Sequence, residues 1–296
     1  MISFQAYQAF YAVAQCGSIT AAAKLLELTQ PTVSHAIQML EQALACPLFV
    51  RTRKGVSLTP EGQRLYEDIA PACRRIRKAE ADFQSRQSLE EGQIYLGASE
   101  ITLRHFLLPY LKEFRQTYPA IRLRLSNSTT PAALEALRSG ELDCAVLVMD
   151  PRENYSDLRV TPLAVFRDMV IAGPGFARLR ERTVSLAHLV EYPLIAMIEG
   201  TVSRSFLSGF FAQHGLALTP EIETATADLI PPLVETGLGI GFVPPSFAAA
   251  PIQAGKIFPV RLEEAIPCRH ICMVQPEKRP ISTAARAFVE MFRHTS

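Results

Sequence analysis

The sequence predicts an α+β multidomain protein: an N-terminal winged helix-turn-helix, a long linking helix, and a C-terminal two-lobed α/β domain. Three observations carry this. From residue 3 to about 92 all but one of the periodic stretches place apolar residues at steps of three and four, the helical spacing. After Gly92 short apolar runs alternate with helical patterns, as in sheets built from βαβ units. Between the two, one stretch repeats its apolar residues across successive heptads.

In the first part, "SFQAYQAFYAVAQCG" predicts a helix with Phe4, Tyr7, Phe10, Tyr11 and Ala14 on one stripe and Gly17 as its stop. Ser18 caps "ITAAAKLLEL", whose small side chains allow close packing. Thr29 is positioned to cap a third helix, with Pro31 in the first turn where a missing N–H costs nothing. Val33, Ile37, Leu40 and Leu44 form its apolar face, and Pro47 ends it. "LFVRTRKGVSL" alternates around a glycine-containing turn, a hairpin whose tip carries Arg51, Arg53 and Lys54. Residues 1–58 are thus a winged helix-turn-helix.

Thr59-Pro60-Glu61 is a helix start, and the helix is expected to run to about Ser88. Leu65, Ile69, Ala72, Ile76, Ala79 and Phe83 recur as a coiled-coil seam, which favours a dimerisation arm over residues 59–90 rather than a core helix. Pro71 should kink or divide it. Residues 91–296 follow as strands and helices in alternation. "QIYLGA", "IRLRLSN" and "LDCAVLVM" are strands of one lobe, predicted over 91–162 and rejoined at 267–296 by "RHICMV" and the closing helix "TAARAFVEMFRH". A second set, including "MVIAG", "YPLIAMI", "EIETA" and "GIGFVP", makes a second lobe over 163–266. Two such lobes imply a cleft.

The composition, 48% hydrophobic and 20% charged over 296 residues with a formal net charge of +1, is that of a globular chain and selects no polyanionic partner by itself. No stretch approaches the ~20 apolar residues of a membrane span, and the N-terminus lacks a signal-peptide pattern, so the expected location is cytoplasmic, with no membrane partner. The six cysteines are scattered without zinc-like spacing, and neither a metal nor a cofactor is expected. Cys268 and Cys272 fall in the strand-like "CRHICMV" at even spacing, on one face. A buried apolar role is preferred there to the alternative, a redox-sensing pair. The six histidines have no nucleophile elbow, phosphate loop or paired acids beside them, which excludes an enzyme in favour of a binding protein.

The chemistry first points to the third helix. Gln30, Thr32, Ser34, His35 and Gln38 crowd the side opposite its apolar face. Hydrogen-bonding side chains near a helix N-terminus are what a helix laid in the DNA major groove requires, and a basic hairpin beside it supplies phosphate contacts. The partner implied is double-stranded DNA with paired half-sites. The stretch "FYAVAQCGSITAAAKLLELTQPTVSHAIQMLEQALACPLFVRTRKGVSLTPEGQRL" resembles the N-terminal region of LysR-type transcriptional regulators, with its "SxTxAAxxLxxxQPxVSxxIxxLE" followed by "PLFxRxxxxxxLTxxG". The resemblance extends over the whole chain. It implies Gln30, Thr32, Ser34 and Gln38 near bases or backbone, Arg51 and Arg53 on phosphate, and an effector domain resembling type 2 periplasmic-binding proteins in a homodimer or homotetramer. His35 departs from the arginine frequent at that place in the family.

In the C-terminal domain, strand-to-helix junctions expose backbone N–H groups and a helix dipole, which favour an anion. Four junctions are rich in hydroxyls: Ser99 and Thr102; Asn127, Ser128 and Thr129; Thr201 and Ser203; and Thr226. Singly each is an ordinary helix cap. Together, and with family members binding inducers between their lobes, they are candidate ligands for a small metabolite with carboxylate or other anionic oxygens. Glu100 and Arg204 lie close by in sequence.

Overall fold

Helix starts in the N-terminal part are set by side-chain caps. Ser3 accepts the Ala6 N–H ahead of α1 (Phe4–Cys16), Ser18 the Ala21 N–H ahead of α2 (Ile19–Leu25), and Thr29 the Thr32 N–H ahead of α3 (Gln30–Leu44). Each cap satisfies an N–H that the helix cannot, typically worth about 1 kcal/mol. Gly17 ends α1 at φ 60°. β1 (Phe49–Thr52) pairs antiparallel with β2 (Gly55–Leu58), and α4 (Pro60–Gln84) follows. The computed structural model describes residues 2–52, 55–84 and 92–294; of 51, 52, 78, 81–84, 293 and 294 it describes the backbone alone. It divides into two units, Met1–Gln84 and Ser85–Ser296.

The core of the first unit gathers Phe10 and Val13 of α1, Ala22 and Ala23 of α2, and Val33, Ile37 and Leu40 of α3. Two expected core residues sit elsewhere: Phe4 is 43% exposed and Leu44 37%, each at the end of its helix, beyond reach of this core. α4 continues through Pro71 as one helix rather than dividing there. Its buried side chains are Ala70 and Cys73, which pack on Tyr11 of α1. Tyr66 stacks on Tyr11 at 5.8 Å and the Arg77 guanidinium lies 5.1 Å from the same ring. This packing offsets the hydrogen bond lost at proline. The heptad positions lie outside the buried stripe: Leu65 and Ile69 are half-buried, while Ala72, Ile76 and Ala79 are exposed. Phe83 has no described side chain, and the expected end at Ser88 falls outside the described residues.

The second unit holds two sheets. β3 (Gly92–Ala98) leads to α5 (Glu100–Thr102), a π-helical turn at Leu103–Leu107 and α6 (Leu108–Thr117). Then come β4 (Ile121–Asn127), α7 (Thr130–Ser139), β5 (Cys144–Met149) and β6 (Leu158–Phe166). The other sheet receives β7 (Met169–Ala172), β8 (Thr183–Val184), α8 (Leu186–Leu189), β9 (Leu194–Met197), α9 (Val202–Gln213), β10 (Ile222–Thr224), α10 (Ile230–Glu235), β11 (Ile240–Val243), α11 (Pro245–Gln253) and β12 (Phe258–Leu262). β13 (Arg269–Pro276) and α12 (Thr283–Glu290) return to the first sheet.

The strand orders are β4-β3-β5-β13-β6 and β10-β9-β11-β7-β12-β8. Only part of each sheet is parallel: β3 pairs parallel with β4 and β5, whereas β13 runs antiparallel to β5 and β6. The first lobe reaches Phe166, which pairs with Arg269, rather than stopping at 162. The crossovers between lobes therefore lie at residues 166–169 and just before Arg269. One buried cluster crosses both sheets, joining Ile94, Leu96 and Val146 of the first lobe to Ile171, Ile195 and Val243 of the second.

Candidate functional site

The polar face of α3 is opened by its own cap. The Thr29 hydroxyl lies 3.4 Å from the Thr32 N–H and 2.8 Å from the Thr32 hydroxyl. Gln30, Thr32, His35 and Gln38 are exposed, and Ser34 is half-buried. The cap therefore occupies part of Thr32's hydrogen-bonding capacity, and Gln30, His35 and Gln38 are the open long side chains. Arg51 lies in β1, its backbone opposite Val56. Its side chain, and all of Arg53 and Lys54, lie outside the described residues.

Two features that hold the hairpin to the helices had no periodic signal in the sequence. Glu41, on α3, accepts the N–H groups of Leu48 and Phe49 at 2.7 and 3.2 Å. The Val56 N–H donates to Gly17 O at 2.9 Å, and a side chain on Gly55 would strike that same oxygen. Glycine at 55 thus permits the close approach of hairpin and helix turn.

In the second unit, a cavity of about 210 Å³ lies between the lobes. Its walls include Ser99, Asn127, Ser128 and Thr129 from the first lobe and Thr201, Ser203 and Thr226 from the second, all predicted. The N-terminal ends of α7 and α9 reach it from opposite lobes. First-turn N–H groups have no partner within a helix and carry the positive end of its dipole. Thr129 makes no capping bond with its side chain, whereas Thr201 accepts the Arg204 N–H at 3.2 Å.

Thr102 is not part of this wall. It is fully buried, and its hydroxyl donates to Val146 O at 2.6 Å and approaches Ser99 O at 2.9 Å. Helical spacing turned it inward, where it ties the α5 turn to β5. Arg204 is also engaged elsewhere: it bonds Met197 O at 2.9 Å and pairs with Glu223. Glu100 does line the cavity, and its carboxylate accepts the N–H groups of Ala227 and Asp228 across the cleft at 3.0 and 3.3 Å. Burial raises its pKa above the usual carboxylate value, outweighing those bonds, and the nearby Asp228 charge adds to the rise. The Asp228 pKa is lowered chiefly by a hydrogen bond with Thr226, then by one with Glu100 and by Arg104 of the first lobe, which pairs with Asp228 at 3.2 Å.

Arg269, unmarked by any motif, is a buried cation that lines the cleft. Its Nη1 donates to Asp168 Oδ2 at 2.8 Å and its Nη2 to the Ser203 hydroxyl at 2.9 Å. The guanidinium sits 5.2 Å from the Phe166 ring centre and 4.8 Å from that of Phe206. It thereby spans both lobes at a crossover. Nearby, Cys268 corrects the expectation of two cysteines on one strand face. It precedes β13, is exposed, and its sulfur lies 3.3 Å from an Arg167 nitrogen. Cys272 alone is buried in the strand, and burial pushes its thiol pKa up to about 12, away from thiolate chemistry. No cluster of metal-ligating side chains occurs among the described residues, and among them no helix is long and apolar enough to cross a membrane.

Comparison with known proteins bears on both units. Residues 4–63 match the family model "Bacterial regulatory helix-turn-helix protein, lysR family", and residues 87–296 match the "LysR substrate binding domain". The chain is 29% identical over 292 residues to the HTH-type transcriptional activator CmpR of Synechocystis, covering 97% of this chain and 94% of that protein. It is 30% identical to the HTH-type transcriptional regulator YofA of Bacillus velezensis, covering 80% and 79%. Among solved structures, full-length CbnR complexed with its target DNA aligns with a TM-score of 0.73 at 21% identity, covering 99% of this chain and 100% of that one, a likeness of fold.

Proposed function

Because the chain belongs to the LysR family of transcriptional regulators, which bind DNA through the helix-turn-helix and small effectors through the substrate-binding domain, we propose that α3 reads bases and that the inter-lobe cavity takes a small anionic metabolite. Gln30, His35 and Gln38 are assigned to base edges, Thr32 and Ser34 to backbone or bases, and Arg51, Arg53 and Lys54 to phosphate. The effector contacts are assigned to Ser99, Asn127, Ser128, Thr129, Thr201, Ser203 and Thr226. One observation carries the effector assignment: these hydroxyl and amide side chains from two lobes line a single cavity together with the N-terminal ends of α7 and α9. Closure of the cleft on its ligand alters the geometry presented to DNA.

The exposed seam of α4 is the proposed dimerisation arm, and pairing of substrate-binding domains extends the dimer to a tetramer. Two recognition helices on one arm demand half-sites at helical-turn spacing. The compartment proposed is the cytoplasm, where such DNA lies. The test is a binding titration on operator variants. Gln38→Ala should cost about 1–3 kcal/mol at one base position and relax preference there, whereas Arg53→Ala should weaken every sequence alike and flatten the salt slope. Equal, sequence-blind loss from both variants refutes the assignment of α3.

A further inference from the structure

The inner cavity is small for a metabolite site. At about 210 Å³ it falls under the usual range of roughly 300–1,000 Å³. It opens past Val148, Thr201, Val202 and Arg269, which it shares with a larger groove of about 560 Å³. One wall of that groove is a single face of α9, with Val202, Ser205, Phe206, Gly209, Phe210 and Gln213 at helical steps of three and one. The opposite wall is the end of β5 with Met149 and Asp150, and His270 of β13.

Gly209 is the telling residue. A glycine inside a helix is less favourable than alanine by about 1 kcal/mol, a cost usually offset by close packing against the bare backbone. Here a Cβ at 209 would meet nothing within 4 Å. The glycine answers to no neighbour in the protein; what it preserves is the width of the groove. Gly200 at the mouth of α9 is likewise in open space, with a φ of 80°. At the far end, Asp150 offers acceptor oxygens. Hydrogen bonds from Arg152 hold its carboxyl at about 2, so it is charged at neutral pH, while Arg152 itself is 84% exposed and able to swing away.

Building on the effector assignment above, we propose that the effector is an elongated organic acid whose anionic head sits in the inner cavity, whose body passes Arg269 to lie along Gly209, and whose far end donates hydrogen bonds from hydroxyl or amino groups to Asp150. Val148, Met149 and Val202 give the body an apolar flank. Asp150 supplies the selectivity for a donor at the tail.

Carboxylates of graded length serve as rulers. Thermal shift and calorimetric titration of the full chain with acetate, γ-aminobutyrate, ε-aminocaproate and ω-aminocaprylate should show affinity rising with length, on the order of tenfold across the amino series. Butyrate, caproate and caprylate, lacking the tail donor, should gain less. Gly209→Leu projects a branched side chain across the path of the ligand body and should abolish the gain with length while leaving the response to acetate; Gly209→Ala, which adds one methyl in open space, should keep both. Both variants replace a helix-interior glycine by a better helix former and should melt no lower than the natural chain, which separates occlusion from misfolding. Asp150→Asn should erase the difference between amino and plain acids. Equal affinity for all lengths, or a gain that survives Gly209→Leu, overturns the groove as a ligand compartment. An amino preference that survives Asp150→Asn overturns the assignment of the tail. If no carboxylate of any length shifts the natural chain, the anion assignment of the inner cavity falls, and this inference with it.

Discussion

Replacing Arg269 by methionine tests what holds the two lobes in register. The side chain is 5% exposed, and its partner Asp168 is 8% exposed. Methionine keeps an apolar stem between Phe166 and Phe206 but removes the donors to Asp168 Oδ2 and to Ser203. The other Asp168 oxygen, Oδ1, is already buried without a partner. The variant would thus leave a carboxylate enclosed with no counter-charge, and breaking a buried pair in this way costs about 3–5 kcal/mol. At roughly 2–4 °C per kcal/mol for a domain of this size, the melting temperature of the substrate-binding unit should fall by about 6–20 °C. Circular dichroism of the full chain during thermal and urea unfolding reads the change. A companion variant, Arg269→Met with Asp168→Leu, removes both charges and should recover most of the loss. If the single change costs under about 1 kcal/mol, or the pair does no better than the single, the ion pair is not what joins the lobes.

Three further outcomes follow from the same geometry. Thr102→Val should lower stability by about 1–3 kcal/mol, because it leaves Val146 O without its buried donor; it should keep the carboxylate-induced thermal shift, which Thr129→Ala should diminish. Glu100 has a folded-state pKa above its ordinary 4.5, so the folded chain holds a proton that the unfolded chain releases. Its contribution is present in full below about 4.5 and is lost as pH rises through the folded pKa, the reverse of the lowered Asp228, whose contribution is lost on acidification. Melting curves from pH about 4 to 8 should therefore show Glu100→Gln gaining on the natural chain as pH rises across that window; a constant gap refutes it. Ile76→Asp, at an exposed seam position of α4, should lower the oligomeric state in light scattering without melting the unit to which α1 and α4 both belong.

What the sequence disclosed, and what it hid, follows from the range of each physical cause. Caps act within three residues, so Ser18, Thr29 and Thr201 were legible and sit where expected. Hydroxyl-rich strand-to-helix junctions are equally local, and those of 99, 127–129, 201–203 and 226 converge on one cavity because βαβ topology sends successive junctions to the same edge. Thr102 shares a junction with Ser99 yet faces the core, since residues three apart in a turn need not share an environment and only the packed structure brings its hydroxyl to Val146 O. The heptad seam was real as a pattern, but α4 has a second stripe one step away. Ala70 and Cys73 fall one step off the heptad positions, and it is Tyr11, from another helix, that buries them.

Arg269 and Gly209 lie further still from sequence logic. An arginine opening a strand looks like any surface cation until Asp168, 101 residues earlier, and Ser203 are brought to it. A glycine in α9 resembles a weak point in a helix until the space beside it proves empty. Both sit where the two lobes meet, and a meeting place has no local signature. The local patterns specified the capped helices of the helix-turn-helix, the long α4 and the hydroxyl-rich junctions. The proposed ligand selectivity rests on contacts between residues distant in sequence: Arg269 meets Asp168 and Ser203, and Gly209 faces a groove whose other wall is Met149, Asp150 and His270, residues that no local pattern brings together.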